Sequence, residues 1–143
     1  MSSSSSTGFD VVVVGSANLD LVARTTRLPK PGETVSGSHF FEACGGKGVN
    51  QAIAAARAGA RTAFIGALGR DHAGETLLAA LVKDGVDVSA VQRVSAPTGR
   101  ALIGVSDDGE NSIIVVPGAN HALSIADIEK HKSLISSAKV LLC

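Results

Sequence analysis

The sequence has no tryptophan and no tyrosine, and only four phenylalanines, which leaves little material for stacking on nucleic-acid bases. It also lacks an excess of either charge. Thirteen basic side chains meet thirteen acidic ones, so there is no basic stripe to track a phosphate backbone or an anionic lipid surface. Nucleic acid and membrane are therefore not expected partners. Cys44 and Cys143 are the two cysteines, with no CxxC spacing and no Cys/His cluster. That argues for two reduced thiols and against a disulfide framework or a zinc site. His39, His72, His121 and His131 are scattered without metal-ligand spacing. No apolar run approaches the ~20 residues of a membrane span, and the Ser-rich start lacks the basic and apolar regions of a signal peptide. A cytoplasmic location is expected, with the nucleus allowed.

What is present suits one compact domain: 143 residues, 45% of them hydrophobic. Residues 1–9 open with a serine run that cannot bury apolar surface, and a disordered tail is expected there. Val11 to Val14 form an unbroken β-branched run closed by Gly15, the pattern of a strand buried on both faces of a parallel sheet. An Ala-rich helix is expected over 50–58, ending at Gly59, and a strand over 61–65. Asp71 is placed to cap a helix over 72–84, with Leu77, Leu78, Leu81 and Val82 at helical spacing and Gly85 at the stop. Strand, helix, strand, helix in that order argues for an α/β layer architecture with a parallel sheet.

Other stretches break the alternation. Residues 100–105 and 112–116 read as strands joined by the turn DDGEN, a β-hairpin. Residues 34–42 read as a further strand or strand pair set apart by Pro31-Gly32. These three segments are expected to form a small second sheet. Ser124 and Asp127 form a capping-box pattern ahead of a helix to about residue 133, and residues 138–143 read as a last apolar strand. A domain seldom stops in mid-strand, so the chain is expected to be cut short.

Two constellations could carry chemistry. Gly45-Gly46-Lys47-Gly48-Val49-Asn50-Gln51 combines close-approach glycines with a helix start, a point charge at Lys47, and an amide at Asn50 that can both donate and accept. It is not a P-loop, because position 41 is Phe and Lys47 precedes Gly. It is not a dinucleotide fingerprint, because position 51 is Gln. An ordinary glycine-rich turn remains the alternative. Asn18 and Asp20 follow the first strand, where ligands collect in open α/β sheets, and offer an amide and a carboxylate suited to sugar hydroxyls. The alternative is that they only stabilise a turn. Asp107, Asp108 and Glu110 read as solvated turn residues.

Taken together, the segments GSANLD (15–20), LPKPGETVSG (28–37), CGGKGVNQA (44–52), GALGRDHAGE (66–75), TGRALIGVSDDGEN (98–111) and PGANHAL (117–123) resemble the ribokinase branch of the PfkB-type carbohydrate kinases. The resemblance spans residues 10–143, in order. It implies ribokinase-like α/β/α layers with a small β-sheet lid, and sugar hydroxyls held by Asn18, Asp20, Gly46, Lys47 and Asn50. It implies transfer of the ATP γ-phosphoryl group to the 5-hydroxyl of D-ribose, with Mg²⁺ and a monovalent cation such as K⁺, and a homodimer formed through the lid. The family's D-T-x-G-A-G-D segment, which supplies the catalytic Asp and an anion hole, does not occur in this sequence. The chain is thus expected to hold most of a sugar site without the catalytic base, the ATP site or the cation sites, and to be inactive alone. Two other readings stand beside it: a short non-catalytic form acting as a binding or dimerisation module, and a kinase for another sugar or nucleoside. Cys44 stands where such proteins often carry Phe.

Overall fold

A computed structural model describes residues 8–143. Most of the expected disordered tail, residues 1–7, lies outside the described residues. Phe9, at its end, packs with Val12, Ala63 and Ile65.

Two four-stranded sheets make up the fold. The first is fully parallel, in the order β5 (Val91–Val94), β4 (Thr62–Gly69), β1 (Val11–Val14), β8 (Val140–Leu142). The second is mixed, in the order β3 (Gly37–Gly45), β2 (Asn18–Thr25), β6 (Gly99–Ser106), β7 (Asn111–Val116), with β2 and β6 parallel and the outer pairs antiparallel. This second sheet is the small one expected from the sequence, with a member that was not expected. Residues 18–25, to which the sequence assigns no element and whose Asn18 and Asp20 have turn stabilisation as their alternative role, form β2, one of its two inner strands. The reason is pairing on both sides, with β3 and with β6, which offsets the turn preference of Asn18 and Asp20. Residues 37–45 form one strand, and β5 was not anticipated.

The parallel sheet is covered on both faces, which is why β1 reads as a run of valines and all eight residues of β4 are buried. On one face Val13, Phe64 and Leu68 pack against Val49 and Ala52 of α1 (Lys47–Arg57) and Leu77 and Leu81 of α2 (His72–Lys83). On the other, Val12, Ala63 and Ile65 meet Leu134 and Ile135 of α4 (Lys132–Ser137). The capping box forms as expected: the Asp127 N–H donates to Ser124 Oγ at 3.2 Å, and the Ser124 N–H to Asp127 Oδ2 at 3.0 Å. The helix it starts, α3 (Ile125–Glu129), is shorter than anticipated, and α4 begins afresh after His131.

Asp71 ties this body to the second sheet. Its Oδ1 caps α2 by accepting from the Gly74 N–H at 2.9 Å and accepts from the Thr98 hydroxyl at 2.5 Å. Its Oδ2 accepts from the Thr98 N–H at 3.0 Å, just before β6. Burial opposes ionisation of Asp71, but these bonds and the charge of Arg100 outweigh it and hold the carboxyl at about 2, below an ordinary 3.8. A folded pKa below the unfolded one gives stability that is present above about pH 3.8 and lost as the pH falls toward 2. Asp71→Ala is expected to cost about 2–3 kcal/mol, from the lost cap and the stranded Thr98 groups. Urea midpoints at pH 7 measure that loss. Repeated down to pH 2, they should fall less steeply for Asp71→Asn than for the unmodified protein; parallel curves would contradict this account.

Candidate sugar-binding site

Gly46 sets the geometry at the junction of the two sheets. It precedes α1 with φ +88°, and a Cβ there would lie 2.7 Å from Ser16 O, 2.9 Å from Ala17 Cα and 2.9 Å from Asn18 N. The chain can therefore turn from β3 into α1 directly over the segment leading from β1 into β2. Gly48 makes a second close approach, its Cα facing Gly15, and the Val49 N–H donates to Ser16 O at 3.1 Å. The helix begins at Lys47, three residues earlier than its Ala-rich stretch suggests.

Strand β2 carries Asn18 and Asp20 on one face, two residues and so ~6.6 Å apart. Their cross-strand neighbours are small. Asn18 lies between Gly45 and Gly99, and Asp20 between Ala43 and Ala101. The next row is bulkier, with Phe41, Val22, Ile103 and Ile113. The result is a shallow polar depression at the root of the second sheet, walled by apolar side chains farther out.

Within it the Asp20 carboxylate lies against Gly45, where a Cβ would collide with both carboxylate oxygens. Asp20 is half-buried and receives no hydrogen bond among the described residues. Burial accordingly pushes its pKa above the ordinary carboxylate value. Lys47 and Asn50 are exposed and three residues apart on the first turn of α1, hence on one side of it. Asn18, Asp20 and Gly46 are therefore brought together directly, whereas Lys47 and Asn50 stand at the helix entrance and, among the described residues, make no hydrogen bond or ion pair to Asp20. Asn50 also lines a cleft of about 530 Å³ between α1 and α2, with Arg57 and Asp84. Another groove of about 530 Å³ lies on the opposite face of the second sheet, lined by Leu21, Phe40, Leu102 and Ile114. Neither contains the Asn18–Asp20 pair.

Cys44 pairs with Leu19 and packs against the helix-side core, away from the face of Asp20. Burial, and then the charge of Asp20, pushes its thiol pKa up. A thiol in that setting fills space and is a poor nucleophile. Asn120, which carried no role in the sequence, proves central: it donates to Asn18 Oδ1 at 2.9 Å across 102 residues of chain. The nearest signal was its place in the PGANHAL segment.

The two long helices engage their N-termini within the fold. The α2 N-terminus is filled by the Asp71 carboxylate, and α1 directs its Val49 N–H into Ser16 O. Among the described residues no three His, Cys, Asp or Glu side chains cluster as metal ligands, and no helix is long and apolar enough to cross a membrane.

Residues 9–143 match the pfkB family carbohydrate kinase. The chain belongs to the pfkB family of carbohydrate kinases. Among its relatives, a mouse ribokinase is 45% identical over 134 residues, covering 93% of this chain and 42% of the relative. A ribokinase from Haemophilus influenzae is 41% identical over 133 residues, covering 92% of this chain and 44% of that one. Of solved structures, ribokinase from Giardia lamblia superposes with a TM-score of 0.86 at 37% identity, covering 92% of this chain and 40% of that one. Arabidopsis thaliana ribokinase, solved in complex with ribose and ATP, gives 0.79 at 39%, covering 94% and 44%. The fold is thus ribokinase-like, and this pfkB chain spans about two fifths of the length of the relatives it matches.

Proposed function

We propose that these residues form the sugar-holding part of a ribokinase, the enzyme type that transfers the γ-phosphoryl group of ATP to the 5-hydroxyl of D-ribose. The observation that carries this reading is Asp20: a half-buried carboxylate with no donor among the described residues, set between two alanines. A carboxylate so placed is satisfied by hydroxyl groups from a ligand, and a furanose carries several. The relatives support the choice of ribose, since the mouse and Haemophilus influenzae ribokinases match over more than nine tenths of this chain. Gly46 lets the backbone approach the sugar, and Lys47 and Asn50 contribute side chains that swing in from the helix entrance.

Phosphoryl transfer needs a base, an anion hole and a nucleotide site together. The 143 residues do not include the D-T-x-G-A-G-D segment that supplies the base and anion hole in the family, so turnover by them alone is not expected. ATP, Mg²⁺ and a monovalent cation belong to the activity of the whole enzyme. The exposed Phe40, Leu102 and Ile114 on the second sheet favour burial against a second copy, and a homodimer through this lid is part of the proposal. A cytoplasmic location is part of it too.

Calorimetric titration with D-ribose tests the reading. Saturable heat in the millimolar range or tighter is expected, with weaker responses to D-fructose and adenosine. A silent titration would sink it. ADP release with D-ribose, ATP, Mg²⁺ and K⁺ should stay at background. Ribose-dependent turnover would instead locate a base and a nucleotide site within these residues.

A further inference from the structure

Asn120 sits in the 3-10 turn Gly118–Ala122, far in sequence from β2, yet its side-chain amide is engaged at both ends by the segment carrying Asn18. The Ala17 N–H donates to Asn120 Oδ1 at 2.8 Å. A backbone N–H can only donate, so the amide oxygen of Asn120 is fixed on that side. Its NH₂ therefore faces three oxygens: Ala17 O at 3.1 Å, Pro117 O at 2.9 Å and Asn18 Oδ1 at 2.9 Å. The orientation of Asn18 follows. With Oδ1 turned to the Asn120 donor, its own NH₂ points away and finds no acceptor among the described residues. Gly99 makes room for the pair, since a Cβ there would collide with both Asn120 Nδ2 and Asn18 Oδ1.

We infer that Asn120 is a positioning residue that locks the Asn18 amide with its NH₂ toward the sugar, so that Asn18 donates to a sugar oxygen while Asp20 accepts from a sugar hydroxyl. The inference rests on the sugar-site reading above and deepens it. Without this lock Asn18 could present either end of its amide. With it, β2 displays a donor and an acceptor in fixed order, and a ligand must match that polarity.

The test has two parts on the 143-residue protein. In side-chain amide NMR of the free protein, the Asn120 NH₂ protons should be protected from exchange and those of Asn18 should not. On adding D-ribose the Asn18 protons should shift and become protected. Ribose-induced shifts around Asp20 and Asn50 with the Asn18 amide unmoved would overturn the inference alone. No ribose-dependent shift anywhere would overturn the sugar reading and this inference with it. The second part is a double-mutant cycle read by calorimetry. Asn120→Asp should weaken D-ribose binding about tenfold in the native background and less than twofold beside Asn18→Ala. Equal losses in both backgrounds would mean that Asn120 only supports the fold, and the lock would be wrong. The spectrum of each variant shows whether it remains folded, and the NMR arm stands without any variant.

Discussion

Gly46→Ala is expected to lower stability by about 3–5 kcal/mol and to remove ribose binding from whatever fraction stays folded. Two costs combine. At φ +88° an L-residue is strained by about 1–3 kcal/mol, and the added methyl would press on Ser16 O, Ala17 Cα and Asn18 N, all backbone atoms. Backbone cannot rotate aside as a side chain would, so the overpacking cost of about 1–3 kcal/mol falls on the β1–β2 connection that positions Asn18. Against a total of roughly 5–15 kcal/mol for a domain this size, the loss is large. Gly59 supplies the comparison. Its φ is +94°, but beyond its two chain neighbours no atom lies within 4 Å of where an added methyl would sit, so Gly59→Ala carries strain alone. Urea midpoints should fall about twice as far for Gly46→Ala as for Gly59→Ala, by the sum of the two costs against one. Equal shifts would show that the close approach at Gly46 is not felt.

The sequence made some of this architecture legible because certain signals are local. Val11 to Val14 announce a two-face-buried strand; Asp71, Gly85 and the Ser124–Asp127 box announce helix ends; DDGEN announces the hairpin of β6 and β7, whose Gly109 has φ +87°. Strand β2 was not legible. Asn18 and Asp20 favour turns, and they lie in a strand only because β3 and β6 pair with them from more than 20 residues away. Strand β5, Val91–Val94, carries no local signal because VQRV is short and only half apolar, and its parallel pairing with β4 is what defines it. The site divides in the same way. Asn18, Asp20 and the glycine loop carry donor and acceptor types that can be read directly. The alanines flanking Asp20 and the amide of Asn120 become meaningful only once register and tertiary contact are known.

Asp20→Asn should stabilise the free protein while reducing ribose affinity by at least about 100-fold. The two effects share one cause. In the free protein the Asp20 carboxylate is half-buried with nothing donating to it, and burial raises its pKa. A carboxyl with a folded pKa above its unfolded value is unfavourable to folding when ionised. That penalty is absent at pH below the unfolded pKa, sets in as the pH rises through the folded one, and is fully present above it. An amide carries no such charge, so the melting temperature of Asp20→Asn should exceed that of the unmodified protein at pH 7 and converge with it near pH 4. Hydrogen bonds from hydroxyls to a carboxylate are worth about 1.5–3 kcal/mol each, and losing the charge from two of them accounts for the fall in affinity. Paired melting curves at pH 4 and 7, with calorimetric titration of D-ribose at pH 7, separate the outcomes. Greater stability with lost binding identifies Asp20 as a group held unfavourably for a ligand. Lower stability at pH 7 would mean that Asp20 serves the fold, and the sugar site would have to be sought elsewhere on the sheet.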